Sequence, residues 1–189
     1  MVAELLRICC RSAVVLPGAQ WPQGRAWGAH PLLDWIDRWP FPLGSCCCLA
    51  WMGAGRVPMA VLFVDIDQFK HINDAYGHAG GDCELKTMVQ RINKALRKRD
   101  WAARIGGDEM LVVLYGLNDL GKAMAIGEKL LLAAHQPIDF GAQQIKVSIS
   151  VGVTLAASAE SADSIIARAE QAMYLAKRHG RDQIMTVPV

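Results

Sequence analysis

Hydrophobic and polar positions in the second half of the chain repeat with the two periods of regular secondary structure. Residues 59–64 form a continuous apolar run, which predicts a central strand covered on both faces. Between residues 145 and 153 apolar and polar residues alternate strictly, which predicts another strand. Two stretches repeat apolar residues at helical spacing and predict helices, one ending near residue 97 and one over about residues 161–178.

Glycine and proline residues mark the connections between these elements. Three glycines at residues 77–81 predict a loop after a short helical turn at residues 67–73, and a helix over about residues 120–134 ends before Pro137. Residues 183–187 can return as a last strand. The predicted order is strand, helix, hairpin, helix, strand, helix, strand. It is typical of an α/β (α+β) sandwich with a central, largely antiparallel sheet flanked by helices.

The first 58 residues have a different character. They hold five of the six tryptophans and five of the six cysteines, and their glycines and prolines follow no clear period. We therefore expect a poorly specified N-terminal segment, irregular or partly disordered, before a domain at residues 59–189. Neighbouring cysteines such as Cys46-Cys47-Cys48 lack metal-binding spacing, so small apolar residues in a reducing compartment are favoured over a redox or metal cluster.

Composition and charge narrow the class of protein. The chain of 189 residues is 52% hydrophobic and 20% charged, with a net charge of +2, as in a soluble globular protein. Because there is no broad basic stripe, nucleic acid is not an expected partner. No apolar run reaches the roughly 18 to 20 residues of a membrane span. Charged residues interrupt the N-terminal apolar ones, so a cytoplasmic location is expected.

Acidic residues lie at two predicted strand ends. Residues 104–110 predict a β-hairpin whose tip carries Asp108 and Glu109 after two glycines, and Asp65 ends the first strand. If the two elements are neighbours, three carboxylates and a backbone carbonyl converge, and such hard oxygen ligands suit Mg²⁺. This is the two-metal arrangement that serves phosphoryl and nucleotidyl transfer. Asp67, by contrast, is predicted to cap the following helix.

Three polar side chains, Asn73, His78 and Asp82, follow the acidic strand. An amide and a carboxylate together can recognise guanine, whose N1 and N2 donate hydrogen bonds while its O6 accepts them. Such a site would reject adenine, because the polar groups left unpaired are costly. The alternative is structural: an Asx-turn at Asn73 and a helix N-cap at Asp82, although the cap would not exclude a base contact.

Basic residues near the C-terminus are candidates for phosphate binding. Lys177 and Arg181 lie four residues apart at a predicted helix end, and Lys70 lies near the acidic strand end. Taken alone, compensation of the helix dipole is the better explanation for basic residues at such a position. A triphosphate would nevertheless need cationic side chains of this kind.

Together these motifs resemble those of the GGDEF-type diguanylate cyclases. The matching segments are Phe63-Val64-Asp65-Ile66-Asp67-Gln68-Phe69-Lys70-His71-Ile72-Asn73-Asp74, Tyr76-Gly77-His78, Gly81-Asp82, Gly106-Gly107-Asp108-Glu109-Met110 and Ala176-Lys177-Arg178-His179-Gly180-Arg181. The resemblance covers about residue 59 to the C-terminus and implies a palm-like fold shared with adenylate cyclases and polymerases. It also implies conversion of two GTP into cyclic di-GMP and two pyrophosphates, with Mg²⁺ or alternatively Mn²⁺. Each subunit of a homodimer would supply one GTP.

The resemblance implies a role for each matching position. Asp65, the Ile66 carbonyl and Glu109 would hold Mg²⁺. Asp108 would act at the metal or as the base that takes the 3′-hydroxyl proton. The substrate-binding positions would be Asn73 and Asp82 for guanine, with His78 nearby, and Lys177 and Arg181 for phosphates, with Lys70 near the acidic strand end.

The segment Arg97-Lys98-Arg99-Asp100 adds a match to the family's product-inhibition site. Five residues separate Asp100 from Gly106, which is the spacing of the RxxD motif in the family. Arg97 and Asp100, with Arg104, would bind cyclic di-GMP and provide feedback, since a guanidinium suits a bidentate contact with guanine or phosphate. Without that spacing, a solvated charge cluster at a helix end would be the default interpretation.

Two departures from the family pattern keep an alternative function open. Met110 replaces the usual phenylalanine, for which we expect a modest loss of packing. Residues 30–38 keep Leu32 and Arg38 of the family's N-terminal D-x-L-T-G-L-x-N-R segment but change its other defined positions. The alternative is a catalytically weak or inactive regulatory domain that binds cyclic di-GMP or GTP. A polymerase-like palm acting on nucleic acid is disfavoured by the small net charge.

Overall fold

A computed structural model of the chain describes residues 58–158 and 160–188. The expectations for residues 1–57, which include the neighbouring cysteines and the segment at residues 30–38, lie outside this described part. Among the helices that are described, none is long and apolar enough to cross a membrane.

The described residues form seven strands and three α-helices. In chain order they are β1 (Met59–Ile66), α1 (Phe69–Ala95), β2 (Trp101–Arg104), β3 (Glu109–Tyr115), α2 (Leu120–Ala134), β4 (Ile138–Phe140), β5 (Gln143–Ile145), β6 (Ile149–Leu155), α3 (Ala162–Arg178) and β7 (Gln183–Thr186). This series contains the predicted order of elements. It adds a short β4–β5 hairpin that forms a separate two-stranded sheet.

Five strands form the main sheet in the order β2-β3-β1-β6-β7. Neighbouring strands run antiparallel except β6 and β7, which are parallel because α3 connects them as a crossover. β1 is central, and all eight of its residues are buried. The predicted α+β fold with a largely antiparallel central sheet is therefore confirmed.

Helices cover both faces of this sheet. Side chains of α1 and α2, such as Met88 and Leu130, pack on one face with alternate strand residues that include Val151 and Val153. Gly152 points to the other face, where a Cβ would meet the backbone of α3. α3 therefore packs against β1, β6 and β7 from the side opposite to α1 and α2.

The glycines at residues 77–81 do not form the predicted loop, because α1 continues through them. Within this helix only Gly77 has a non-helical backbone, with φ 70° and ψ 173°, and it kinks the helix. Gly80 and Gly81 are helical and buried, and a Cβ on Gly81 would collide with the Asn73 side chain. The glycines therefore permit close contact between two parts of one kinked helix.

The alternating segment at residues 145–153 is interrupted. β5 ends at Ile145 and β6 begins at Ile149, so residues 146–148 connect the small sheet to the large one. Ser150, a polar position of the alternation, is as buried as its apolar neighbours because α3 covers the second face of β6. The prediction of one continuous strand is therefore wrong in its first part.

Candidate active site

The end of β1 and the tip of the β2–β3 hairpin lie side by side. In the antiparallel pairing of β1 with β3, Asp65 is directly opposite Glu109. Opposite residues of such a pair have Cβ atoms about 4.5–5.5 Å apart on the same face of the sheet. The Ile66 backbone N–H also donates a hydrogen bond of 3.2 Å to the Asp108 carbonyl. The structure thus brings Asp65 together with both acids of the hairpin.

Asp65 is a buried carboxylate with one engaged and one open oxygen. Its Oδ2 lies 2.6 Å from the Lys177 ammonium nitrogen. Its Oδ1 is buried and has no hydrogen-bond partner among the residues that the structure describes. Burial raises the pKa of Asp65 to about 6; the Lys177 hydrogen bond opposes this shift, and the charge of Asp108 adds to it. Because an unpaired buried oxygen is unfavourable, this atom would gain from a bound cation.

The hairpin turn is built around the backbone and the side chain of Glu109. The Glu109 carbonyl accepts hydrogen bonds from the backbone N–H groups of Ile105 (3.0 Å) and Gly106 (3.4 Å). A Cβ on Gly106 would collide with Glu109 Oε2, so this glycine leaves the room that the carboxylate occupies. The Arg104 guanidinium donates to the carbonyls of Gly106 and Gly107 over 2.6–3.0 Å. Arg104, predicted to bind product, therefore braces the turn that carries the acids.

Glu109 shares the electrostatic environment of Asp65. Burial, followed by the negative charges of Asp108 and Glu170, raises its pKa, whereas Lys177 lowers it. Sequence reasoning missed Glu170, an exposed residue of α3. The sequence could have indicated Glu170, because it lies two helical turns before Lys177 and residues seven apart share a helix face.

The donor set fits a divalent cation such as Mg²⁺, which prefers oxygen ligands. It offers the open Asp65 oxygen and the opposing Glu109 carboxylate, with Asp108 beside them. In the described part of the chain, no three His, Cys, Asp or Glu side chains are arranged around one point. Asp65 and Glu109 would thus hold the cation together with substrate phosphates, which is the usual arrangement for Mg²⁺.

Asp67 does not cap α1, so that prediction is wrong. Gln68 occupies the N-cap position with φ 58°, and its side chain makes no capping hydrogen bond. The Asp67 carboxylate instead accepts hydrogen bonds from the hydroxyls of Ser148 and Ser150, both 2.7 Å, and from the Asp182 backbone N–H, 3.1 Å. It ties the acidic end of β1 to the start of β6 and to the loop after α3.

The candidate guanine-binding residues all lie on α1. Asn73 lies inside the helix, where its Nδ2 donates to the Phe69 carbonyl over 3.2 Å, so the alternative of an Asx-turn is excluded. Asp82 is also inside the helix rather than at its N-cap, and it follows Gly81, against which the Asn73 side chain packs. The Asn73 side chain thus lies, across the kink, against the residue that precedes Asp82. His78 is exposed just after the kink.

The predicted phosphate-binding residues occupy different positions. Lys177 is in the last turn of α3 and reaches Asp65. Arg181 is exposed, and its backbone N–H closes the end of α3 by donating to the Ala176 carbonyl over 3.0 Å. Lys70 is exposed in the first turn of α1. Of the three, Lys177 contacts the acidic end of β1.

The RxxD motif lies in the connection between α1 and β2. Asp100 is buried, and its two carboxylate oxygens accept hydrogen bonds from the backbone N–H groups of Arg97 (3.0 Å) and Tyr115 (3.3 Å). Arg97 itself is exposed. Asp100 therefore holds this connection against the end of β3, and Arg97 is the member of the motif that solvent can reach.

Sequence reasoning also missed Glu84, a charged residue in the core. It is fully buried on α1, and neither of its carboxylate oxygens has a hydrogen-bond partner in the described ranges. Burial, and then the charge of Asp108, raise its pKa to about 7. Helical spacing was the signal that could have located it, because Gly80, Glu84 and Met88 lie one turn apart on the buried face.

The sequence and the fold are similar to those of known proteins. The family model for "Diguanylate cyclase, GGDEF domain" matches residues 50–183. Diguanylate cyclase A of Treponema denticola is 38% identical over 134 residues, which are 70% of this chain and 36% of that protein. The solved GGDEF domain of TpbB (YfiN) from Pseudomonas aeruginosa is 33% identical with a TM-score of 0.70, over 76% of this chain and 90% of that one. The active GGEEF domain of a Vibrio cholerae diguanylate cyclase is 26% identical with a TM-score of 0.68, over 76% and 91%.

The chain therefore belongs to the GGDEF-domain family of diguanylate cyclases. The resemblance carried by the acidic, glycine and basic motifs is confirmed. The chain spans 36% of the length of the Treponema relative and 29% of the length of TpbB. Most of each curated relative thus lies outside the match.

Proposed function

We propose that residues 59–189 are a diguanylate cyclase domain, which condenses two GTP into cyclic di-GMP and releases two pyrophosphates. The observation that carries this proposal is the strand pairing that sets Asp65 opposite Glu109, with an open Asp65 oxygen and Asp108 alongside. Relatives named diguanylate cyclase, at 38% identity, support it. Because GTP is a cytoplasmic nucleotide, a cytoplasmic location is part of the proposal.

The proposed reaction is a nucleotidyl transfer that occurs twice. The 3′-oxygen of one GTP attacks the α-phosphorus of the other, the bond from that phosphorus to the bridging oxygen breaks, and pyrophosphate leaves with the electron pair. Asp108 would take the 3′-hydroxyl proton or act at the cation, and Asp65, the Ile66 carbonyl and Glu109 would hold that cation. Bound Mg²⁺, or Mn²⁺, would supply Lewis-acid stabilisation of the charge that develops on the triphosphate.

In the proposed substrate complex, α1 binds the base and α3 binds the phosphates. Asn73 and Asp82, both on α1, would supply acceptors and a donor for the edge of guanine. Lys177 and Arg181, at and just beyond the end of α3, would contact the phosphates. Exposed residues of α1 that would join these contacts are Lys70 and His78.

The reaction requires two copies of the domain. One site holds one GTP, and the two nucleotides must meet with each 3′-hydroxyl facing the other α-phosphorus. We therefore propose that the active form is a homodimer. At low protein concentration, dissociation of this dimer should lower the activity per protein molecule.

Incubating the purified full chain with GTP and Mg²⁺ tests the proposal, with nucleotides separated by chromatography. We expect cyclic di-GMP and pyrophosphate, a specific activity that rises with protein concentration, and loss of turnover when EDTA removes the cation. Absence of cyclic di-GMP at every protein concentration, with Mn²⁺ as well as Mg²⁺, would reject the cyclase. Retained binding of cyclic di-GMP or GTP would then identify the regulatory alternative.

Product feedback through the RxxD motif is part of this proposal. Arg97→Ala should weaken cyclic di-GMP binding by roughly 10-fold or more, since a bidentate guanidinium contact is worth about 1–3 kcal/mol. The buried Asp100 carboxylate keeps its backbone hydrogen bonds in this variant, so the turn should stay folded. Calorimetry measures the affinity, and Lys98→Ala, an exposed neighbour, is the control. Equal binding by Arg97→Ala and wild type would contradict the assignment.

A further inference from the structure

Lys177 has two candidate partners, the phosphates of the substrate and the Asp65 carboxylate. The proposed function needs its ammonium group at the phosphates, whereas in the structure that group lies 2.6 Å from Asp65 Oδ2. The Lys177 side chain is 30% exposed and the Asp65 side chain is 3% exposed, so the lysine reaches from an accessible position to a buried carboxylate. Its charge also opposes the rise that burial causes in the pKa of Asp65 and of Glu109. Lys177 therefore acts as the counter-ion of the acidic end of β1.

A divalent cation and this ammonium group would interact with the same carboxylate. Mg²⁺ binds an oxygen ligand at about 2.0–2.1 Å, closer than the 2.6 Å contact of Lys177 with Asp65. A double and a single positive charge on one buried carboxylate repel each other, because little water screens them. Lysine can respond, since its flexible four-carbon stem lets the ammonium group move.

We propose that a divalent cation displaces Lys177 from Asp65 and so frees the lysine for the triphosphate, which makes cation binding and nucleotide binding assist each other. This inference rests on the proposed function, because it takes Asp65 as a cation ligand and Lys177 as a phosphate-binding residue. Without nucleotide, Lys177 opposes the cation. With nucleotide, the phosphates hold Lys177 away from Asp65. The coupling is reciprocal, as linkage between two binding equilibria requires.

Binding of Mn²⁺ alone to the full chain tests the competition, with free Mn²⁺ followed by its EPR signal. Lys177→Met and Lys177→Gln should bind Mn²⁺ about 5- to 150-fold more tightly than wild type, the usual range of coupling between sites. Lys177→Arg, which keeps the charge and can pair with Asp65, should stay close to wild type. Circular dichroism checks that each variant is folded, and glutamine keeps a hydrogen-bond donor for Asp65.

Arg178→Met is the matched control for loss of a positive charge. Arg178 is exposed in the same helical turn as Lys177, so its removal changes the net charge equally. Because salt screens exposed charges, this variant should change Mn²⁺ affinity by less than about twofold. A similar gain in Mn²⁺ affinity in Arg178→Met and Lys177→Met would mean that the net charge alone sets this affinity, and it would overturn the proposal.

A GTP analogue with a methylene group between the α- and β-phosphorus tests whether nucleotide binding assists cation binding, because the analogue binds without reacting. Saturating analogue should tighten Mn²⁺ binding to wild type and to Arg178→Met. The tightening should be smaller in Lys177→Met, since the residue that links the two sites is gone. Equal tightening in all three proteins would contradict the coupling.

Failure of this inference is distinguishable from failure of the proposed function. Equal or weaker Mn²⁺ binding by both neutral Lys177 variants would overturn the inference, even if wild type makes cyclic di-GMP. The cation would then use the open Asp65 Oδ1 while Lys177 stays in place. Tighter Mn²⁺ binding by these variants, with no cyclic di-GMP from wild type, would reject the cyclase and support the competition at Asp65.

Discussion

Asp108→Ala is expected to lower the rate of cyclic di-GMP synthesis by about 10³-fold, because a positioned general base contributes roughly 10²–10⁴-fold. The loss would be similar or larger if Asp108 acts at the cation. The fold should be preserved, since the Asp108 backbone carbonyl, not its side chain, accepts the Ile66 N–H hydrogen bond of 3.2 Å. The rate of product formation at saturating GTP and Mg²⁺ is the measurement.

Two further variants make the Asp108 experiment specific. Asp108→Asn keeps the shape of the side chain but removes its charge and basicity, so it should be nearly as inactive as alanine. Glu128→Ala removes an exposed carboxylate from α2 and should turn over at the wild-type rate. Activity of Asp108→Ala within about tenfold of wild type would show that the hairpin acid is not at the reacting centre.

The acidic site could be predicted from the sequence because most of its geometry is local. Asp108 and Glu109 lie at a tight turn, and Asp65 ends an apolar run that reads as a buried strand. Antiparallel pairing of these two elements was then sufficient to place the acids side by side. Met110, which departs from the family pattern, follows Glu109 in β3 and is buried in the core.

Contacts between distant parts of the chain could not be predicted in this way. Asp67 follows a strand and precedes a helix, which is a favourable local setting for a cap. Its actual partners Ser148 and Ser150 are 81 and 83 residues away in the sequence. The ion pair of Lys177 with Asp65 likewise joins the end of α3 to the end of β1. Local propensity contains no information about such partners.

The course of α1 was mispredicted because packing outweighs propensity there. Glycine is unfavourable in a helix, so three glycines within five residues indicated a loop. Gly81 lies within the helix, and a glycine is needed there because the Asn73 side chain occupies the place of a Cβ. Glu84 follows these glycines within the same helix, where it is buried next to Leu85 and one turn before Met88.

Glu84→Leu is expected to stabilise the protein, and to do so more at neutral than at acidic pH. In the folded chain, burial and the charge of Asp108 raise the pKa of Glu84 from an ordinary 4.5 to about 7. Between these values the unfolded chain loses the proton while the folded chain keeps it, so wild-type stability falls as pH rises. This pKa shift corresponds to about 3 kcal/mol of wild-type folding stability. That stability is fully retained below pH 4.5 and is lost as pH rises through 7.

Urea unfolding at pH 4.5 and at about pH 8 measures this effect as the difference between variant and wild type. The advantage of Glu84→Leu should be about 3 kcal/mol larger at the higher pH. Asp65, whose pKa is also raised, is present in both proteins and largely cancels in the difference.

Glu84→Gln separates the charge from the burial of a polar group. It should remove the pH dependence but keep an unpaired buried amide, and so gain less stability than leucine. Glu128→Gln, at an exposed position of α2, should follow wild type at both pH values. An advantage of Glu84→Leu that is equal at both pH values would mean that the folded protein does not keep this carboxyl neutral, because only a proton retained on folding makes the difference vary with pH.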